Sequence, residues 1–502
     1  MNVSPAVYAI ATLVTTAVLS PVMTGGYGIF VDEFYYVACS ERLAWGYVDH
    51  PPLAPSILRA SREILGDSLL SLRLPPAVAA GFIVLLSGRL AGQLGGGRYA
   101  QILASLCAAA APVFLVISGF FSMNSLRVVW WALAFSLLIE IEQHGRSRLW
   151  LAFGALAGIA LLNKHTFVLL AASLLVGMLL TRARHHLRSP WLWAGVAIAG
   201  LLLSPNLMWQ VDHDWPSVEF YRNADRFKNH PTPPFAVLAA QVTSANPVTL
   251  PVWIAGLYYL LWAPGGRRLR HLGWIYPVLL LLLMIGGKSR PDRIAPCFVL
   301  LFAAGAVHME AVLTRRRLRQ ALPVLVTVGA IAMAPLSIPL LPIATAGHYA
   351  RALGAPQIEN KKPAIAPQWF ADRMGWPEYV ARVREVVEQL PPQQRSTSAI
   401  VTTSYGLAGA LTYPGYDTGH LPPVHATHNT YHLWGPPAET TEVFVLVGGT
   451  RAGIDRLFEQ VEHVATSVCD GCTGWRQAVP IRIARRPRRP VADMWPDLRH
   501  FR

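Results

Sequence analysis

The sequence predicts an α-helical polytopic membrane protein with a small C-terminal α/β domain. Three observations carry this. Of 502 residues, 53% are hydrophobic and only 14% charged, against about a quarter charged in soluble domains, and mean hydropathy is +0.37. Apolar runs of membrane-crossing length recur through residues 1–344. From about residue 345 the runs shorten and turn residues and charges take over, so residues 345–502 read as a separate water-soluble domain.

Runs long enough to cross a bilayer as helices, about 17–25 residues, fall near 6–24, 74–93, 100–118, 125–141, 190–209, 248–263, 272–286, 294–313 and 321–343. Residues 1–24 lack a basic leader and a small-residue cleavage site, so the first run is expected to be a retained helix. The stretch 149–180 is interrupted by Asn163-Lys164-His165. A single tilted helix would bury Lys164 at a cost of about 2.5–3.5 kcal/mol, so two short spans meeting at a polar tip are expected, which makes eleven in all.

With eleven spans, the short basic loops fall on one side: Arg98; Arg146 and Arg148; Arg182, Arg184 and Arg188; Arg267, Arg268 and Arg270; Arg315, Arg316, Arg317 and Arg319. The positive-inside rule makes that side the cytoplasm. The formal charge of +15 is then largely a topology signal, and no aromatic-plus-basic motif points to nucleic acid. Asp32, Lys164, the loops 210–247 and 288–293, and the tail are expected outside, in the inner (plasma) membrane's extracytoplasmic space.

The first outer loop, 25–73, carries Phe34, Tyr35, Val37, Leu43 and Trp45 before the Pro-rich Asp49-His50-Pro51-Pro52-Leu53, the pattern of short interfacial helices broken by a turn. Gly154-x-x-x-Gly158 permits close approach of a neighbouring helix. In the tail, Val380, Val383, Val386, Val387 and Leu390 mark a helix face, 399–402 and 443–448 read as buried strands, and 454–464 as a further helix. Val447-Gly448-Gly449-Thr450 lacks both the G-x-G-x-x-G spacing and the Walker lysine, which argues against ATP-driven chemistry. Cys39, Cys107 and Cys297 are scattered, whereas Cys469-Asp-Gly-Cys472 suits a tight-turn disulfide outside the cytoplasm.

Adjacent carboxylates at Asp32 and Glu33, directly after the first span, are costly at a bilayer edge unless used. Without ATP, an outward-facing enzyme would draw on a lipid-phosphate-linked sugar, whose phosphate leaves readily if neutralised, so one general base suffices. Asp32 fits that base, and Glu33 a supporting catalytic or orienting role; the alternative is that both acids cap an interfacial helix. Lys164, Lys288, Arg290 and Arg293 run against the positive-inside trend and are candidates for the lipid phosphate, with snorkelling to headgroups as the competing explanation. His50 is a candidate for the sugar or acceptor pocket or a satisfied structural histidine. His425-x-x-His428-x-x-x-His432 has helical metal-ligand spacing, but Asn429-Thr430-Tyr431 and Trp434-Gly435-Pro436 read as loop, which argues against zinc.

Asp32-Glu33-x-Tyr35-Tyr36, followed by Leu43-Ala44-Trp45-Gly46-Tyr47 and Asp49-His50-Pro51-Pro52-Leu53, resembles the bacterial protein O-mannosyltransferase and aminoarabinose-transferase superfamily, the GT-C glycosyltransferases of the dolichyl-phosphate-mannose type. Leu161-Leu162-Asn163-Lys164-His165-Thr166 and Gly286-Gly287-Lys288-Ser289-Arg290 resemble that superfamily's lysine-bearing helix break and basic outer loop. Tyr405-Gly406 and His428-Asn429-x-Tyr431-x-x-Trp434-Gly435-Pro436 are similar to the soluble extension of one bacterial subgroup. The resemblance implies inverting transfer from a polyprenyl-phosphate sugar to a lipid, glycan or protein acceptor, with Asp32 catalytic and Tyr35, Tyr36, His50 and Asn124 shaping the pocket. It implies no firm cofactor, only a possible divalent metal. Two departures stand out: Ser122-Met123-Asn124-Ser125-Leu126-Arg127 lacks the acid common in the second outer loop, and Pro291-Asp292 replaces an aromatic pair. A transporter or flippase of lipid-linked sugars would share the cationic contacts, but internal repeats and mid-membrane acids are not evident.

Overall fold

The computed structural model describes residues 3–23, 27–287, 290–354 and 364–502. Among them, five helices are long and apolar enough to cross a membrane, or up to eight if each of three bent pairs is one span, and three shorter apolar helices accompany them. The apolar runs read from the sequence therefore form a mixture of straight, bent and short helices. The run at 100–118 breaks by 60° between Arg98–Ala110 and Pro112–Ser118, because Pro112 has no N–H for the helical ladder. The run at 248–263 joins at 92° to Pro234–Ser244, an apolar helix inside what the sequence assigns to a polar loop. The chain does break at Lys164, between Leu149–Asn163 and Phe167–Leu179.

The helical body has one continuous core, in which Trp131, Phe135, Phe167 and Phe298 are almost fully buried. Glycines set its close helix approaches. A Cβ on Gly154 would sit 2.1 Å from the Gly195 carbonyl oxygen, so helices Leu149–Asn163 and Pro190–Asp212 meet backbone to backbone.

Between the first two apolar helices lie Val31–Glu41 and the amphipathic Leu53–Leu65. The latter buries Ala54 and Leu58 and leaves Ile64 exposed. Arg62 ties it to Glu41 at 2.9 Å and to Asp67 at 2.5 Å.

The C-terminal region forms a five-stranded sheet in the order β2-β1-β3-β5-β4, with β1 Ser398–Thr402, β2 Val424–Ala426, β3 Val443–Val447, β4 Phe458–Val468 and β5 Ala478–Pro487. β1 is parallel to β2 and β3, whereas β5 runs antiparallel to β3 and β4. Helix Trp376–Glu388 buries Tyr379, Val380, Val383, Val386 and Val387 against it. Of the helix expected at 454–464 only the start is helical, in Arg451–Asp455, and the rest from Phe458 is β4. Ile454, Phe458, Val461 and Val464 have near-helical spacing, but pairing with β5 overrides it. The Cys469–Cys472 disulfide is formed.

This sheet shares its core with the first loop. Phe34 meets Trp376 edge-on at 4.9 Å between ring centroids. Helix Tyr405–Leu411 seats on Val31–Glu41 through two glycines: a Cβ on Gly406 would lie 2.3 Å from Val31 Cγ2, and one on Gly409 2.7 Å from Phe34 Cβ. Across the same junction, the Gly119 carbonyl accepts from Arg73 at 2.6 Å and from Arg373 at 3.0 Å.

Candidate active site

A cavity of about 960 Å³ opens where these parts meet. Its walls come from helix Val31–Glu41, the break at Lys164, the loop before Cys297–Val312, and the C-terminal ends of β1, β2 and β3. Ligand sites of α/β sheets lie at such carboxyl ends, where backbone groups and loop side chains are left open.

Asp32 lines the cavity, and its Oδ1 accepts a hydrogen bond from the Tyr405 hydroxyl at 2.7 Å. Glu33, one residue on, faces away and does not line it. The Glu33 side chain is fully buried; Oε1 pairs with Arg73 at 2.8 Å and accepts from the Phe121 N–H at 2.7 Å, while Oε2 accepts from the Phe30 N–H at 2.8 Å. Burial pushes its carboxyl above the ordinary value against the pull of Arg73, Arg373 and the two backbone amides. The capping role open to both acids thus falls to Glu33, and its placement beside Asp32 as a catalytic group is corrected to a positioning one, because neighbours on a helix point about 100° apart.

Tyr35 and Tyr36 both line the cavity. The Tyr35 hydroxyl donates to Asp49 Oδ1 at 2.8 Å, and Tyr36 stacks on His50 with centroids 4.8 Å apart. His50 itself is buried behind Tyr36, with Nδ1 3.1 Å from the Pro51 carbonyl. Burial holds it below the usual histidine value. It supports the wall and is not a pocket residue, a second correction to the sequence expectation.

Lys164, Asn124, Arg290 and Arg293 all reach the cavity. Lys164 Nζ donates to Asn124 Oδ1 at 2.5 Å. Asp292 sits among the cations: Arg127 Nη2 bonds its carbonyl at 2.6 Å, and Arg290 Nε lies 3.4 Å from Oδ1. Burial alone would raise the Asp292 carboxyl, but Arg290, Arg127, Lys164 and Arg293 together hold it well below the carboxylate range. Lys288 lies outside the described residues.

The sequence did not single out Arg127, Asp49, Asp292 or Tyr405 as site residues. Arg127 had a signal, a cation inside an apolar helix. Tyr405 had none, since its partner is 373 residues away. The histidines with metal-like spacing disperse: His425 faces the Gly435 carbonyl, His428 that of Arg502 and His432 that of Trp495. Among the described residues no group of three or more His, Cys, Asp or Glu is gathered as metal ligands, so no step is routed through a metal.

The fold of this helical body with its small α/β domain is shared with solved structures. The chain is similar to proteins of the GT-C and protein-mannosyltransferase superfamily. Residues 49–209 match the model of the dolichyl-phosphate-mannose-protein mannosyltransferase family. The lipid A galacturonosyltransferase RgtD of Rhizobium johnstonii is 26% identical over 263 residues, 50% of this chain and 54% of that protein, so the chain spans about half the length of this curated relative. Crystalline ArnT from Cupriavidus metallidurans bound to undecaprenyl phosphate superposes with TM-score 0.63 at 16% identity, over 95% of this chain and 97% of that one. The mycobacterial arabinofuranosyltransferase AftD gives 0.52 at 13% identity, over 97% and 40%. At these identities the solved structures establish the fold.

Proposed function

We propose that the protein transfers a glycosyl unit from a polyprenyl-phosphate donor to an acceptor hydroxyl, with inversion, at the outer face of the cytoplasmic membrane. The observation that carries this is one cavity holding Asp32 together with Lys164, Arg290 and Arg293. The acceptor oxygen attacks the anomeric carbon while Asp32 takes its proton; the bond from that carbon to the phosphate oxygen breaks, and the polyprenyl phosphate leaves with the electron pair. Lys164, Arg290 and Arg293 stabilise that anion where its charge develops. Tyr405 orients Asp32 by donating to it. Asn124, Tyr35 and Tyr36 contact the sugar or acceptor, and Val113, Val116, Ile117 and Phe120 on the apolar side accept the isoprenoid. The catalytic body is residues 1–344 and the extracytoplasmic α/β domain residues 345–502, with the eleven-span topology that the basic loops support.

The acceptor is a lipid, glycan or protein of the envelope. Related proteins named for lipid A, arabinofuranose and undecaprenyl phosphate make a lipid-linked sugar reaction the nearest chemistry. The test is Asp32→Asn. In a deletion strain complemented with each form, mass spectrometry of envelope glycolipids and glycans identifies the mass the native protein restores. The variant is expected to restore it about 10²–10⁴-fold more slowly, the usual worth of a general base, while purified variant still binds undecaprenyl phosphate. Equal restoration by both forms sinks the assignment.

A further inference from the structure

The cavity holds a second acid that the transfer step does not use. Asp49 lines it, half-buried, on the turn before helix Leu53–Leu65. Its Oδ1 accepts from the Tyr35 hydroxyl at 2.8 Å, and among the described residues no cation pairs with it and no backbone N–H takes its other oxygen. Nor does it cap the helix that follows, which starts after Pro52 without a side-chain cap. A carboxylate has about four acceptor sites, so Asp49 keeps acceptors open to the cavity.

The fold fixes this carboxylate from behind. The Val48 N–H donates to Thr430 Oγ1 at 3.1 Å, Thr430 Oγ1 lies 2.5 Å from the Tyr35 hydroxyl, and the Thr430 N–H donates to that hydroxyl at 3.2 Å. With the Tyr35 oxygen accepting from Thr430, its single proton goes to Asp49. Tyr35 and Thr430 are almost fully buried, so this relay joins the first loop to the α/β domain out of competition with water.

The same ring leads to the base. Tyr35 stacks on Tyr405 with centroids 4.7 Å apart, and Tyr405 donates to Asp32 at 2.7 Å. Asp49 and Asp32 both act on the Tyr36 hydroxyl, which burial and the two acids hold well above the usual tyrosine value. On the other side, burial and Asp49 raise the Tyr221 hydroxyl while Arg293 opposes them. Asp49 thus shares one neighbour with the base and another with the phosphate cations. In the glycosyl-transfer reading, the donor sugar lies between those two groups.

We propose that Asp49 binds hydroxyl groups of the donor sugar and excludes a sugar that carries a carboxylate, so that the donor is a neutral sugar and not a uronic acid. The inference rests on the glycosyl-transfer reading. Sugar hydroxyls donate to a carboxylate already oriented to receive them, whereas a uronate brought to the same place meets like charge. The test titrates full-length protein in detergent with undecaprenyl phosphate, and with undecaprenyl phosphate bearing glucose, galactose or mannose or the corresponding uronic acids. Each neutral lipid that binds is expected to do so at least about tenfold more tightly than its uronate. Asp49→Asn keeps an oxygen for the Tyr35 hydroxyl but loses the charge. It should weaken the neutral lipids about tenfold, narrow their advantage over the uronates, and leave the affinity for bare undecaprenyl phosphate unchanged, the sign of an intact cavity. A uronate bound as tightly as its neutral partner, neutral lipids indifferent to Asp49→Asn, an equal loss for the bare lipid, or no binding of any neutral lipid overturns the inference alone. Failure of bare undecaprenyl phosphate to bind the native protein overturns the donor reading and this inference with it.

Discussion

Two adjacent acids have opposite fates. Asp32 faces the cavity and Tyr405, whereas Glu33 is sealed in an ion pair with Arg73. Removing one member of a buried pair strands the other charge, at about 3–5 kcal/mol. Glu33→Ala is therefore expected to lower the thermal midpoint of purified protein sharply, and Glu33→Gln less, since the amide oxygen still accepts from one of the Phe30 and Phe121 N–H groups. A midpoint unchanged in Glu33→Ala contradicts the structural role. Residue type and position located both acids in the sequence; which one met the cavity depended on helix phase against partners elsewhere in the chain.

Among the elements, the glycine contacts decide how closely helices approach. The Gly154-x-x-x-Gly158 spacing was legible as a packing face, and the partner is Pro190–Asp212, with Gly158 against Leu202. Gly154→Val places a branched side chain where the Gly195 carbonyl lies and should cost at least about 1–3 kcal/mol, read as reduced yield of monodisperse protein and a lower midpoint in detergent. Gly200→Val on the partner helix Pro190–Asp212, where an added Cβ meets nothing within 4 Å, is the control expected to be near neutral. The strand β4 was not legible, because residues 454–464 satisfy a helical pattern and only pairing with β5 selects the strand.

At the scale of the whole molecule, the first loop and the α/β domain share one core, so the domain closes the cavity as part of the fold. If the basic loops set the topology, alkaline phosphatase fused after residue 502 should be active in cells and a green fluorescent protein fused there dark. The reverse pair of results would invert the orientation and move the cavity to the cytoplasmic face.

The sequence by itself determined the membrane character, the break at Lys164, the strands β1 and β3, and the candidacy of Asp32, Lys164, Arg290 and Arg293, because partition between lipid and water and the cost of stranded charge are written locally. Tertiary structure alone decided that Glu33 and His50 support the wall, that Arg127 and Asp292 join the cationic cluster, and that Tyr405, with His428 stacked on its ring, reaches the acid. Those contacts link residues far apart in the chain, 373 positions for Asp32 and Tyr405, and only the packing of complete elements brings them together.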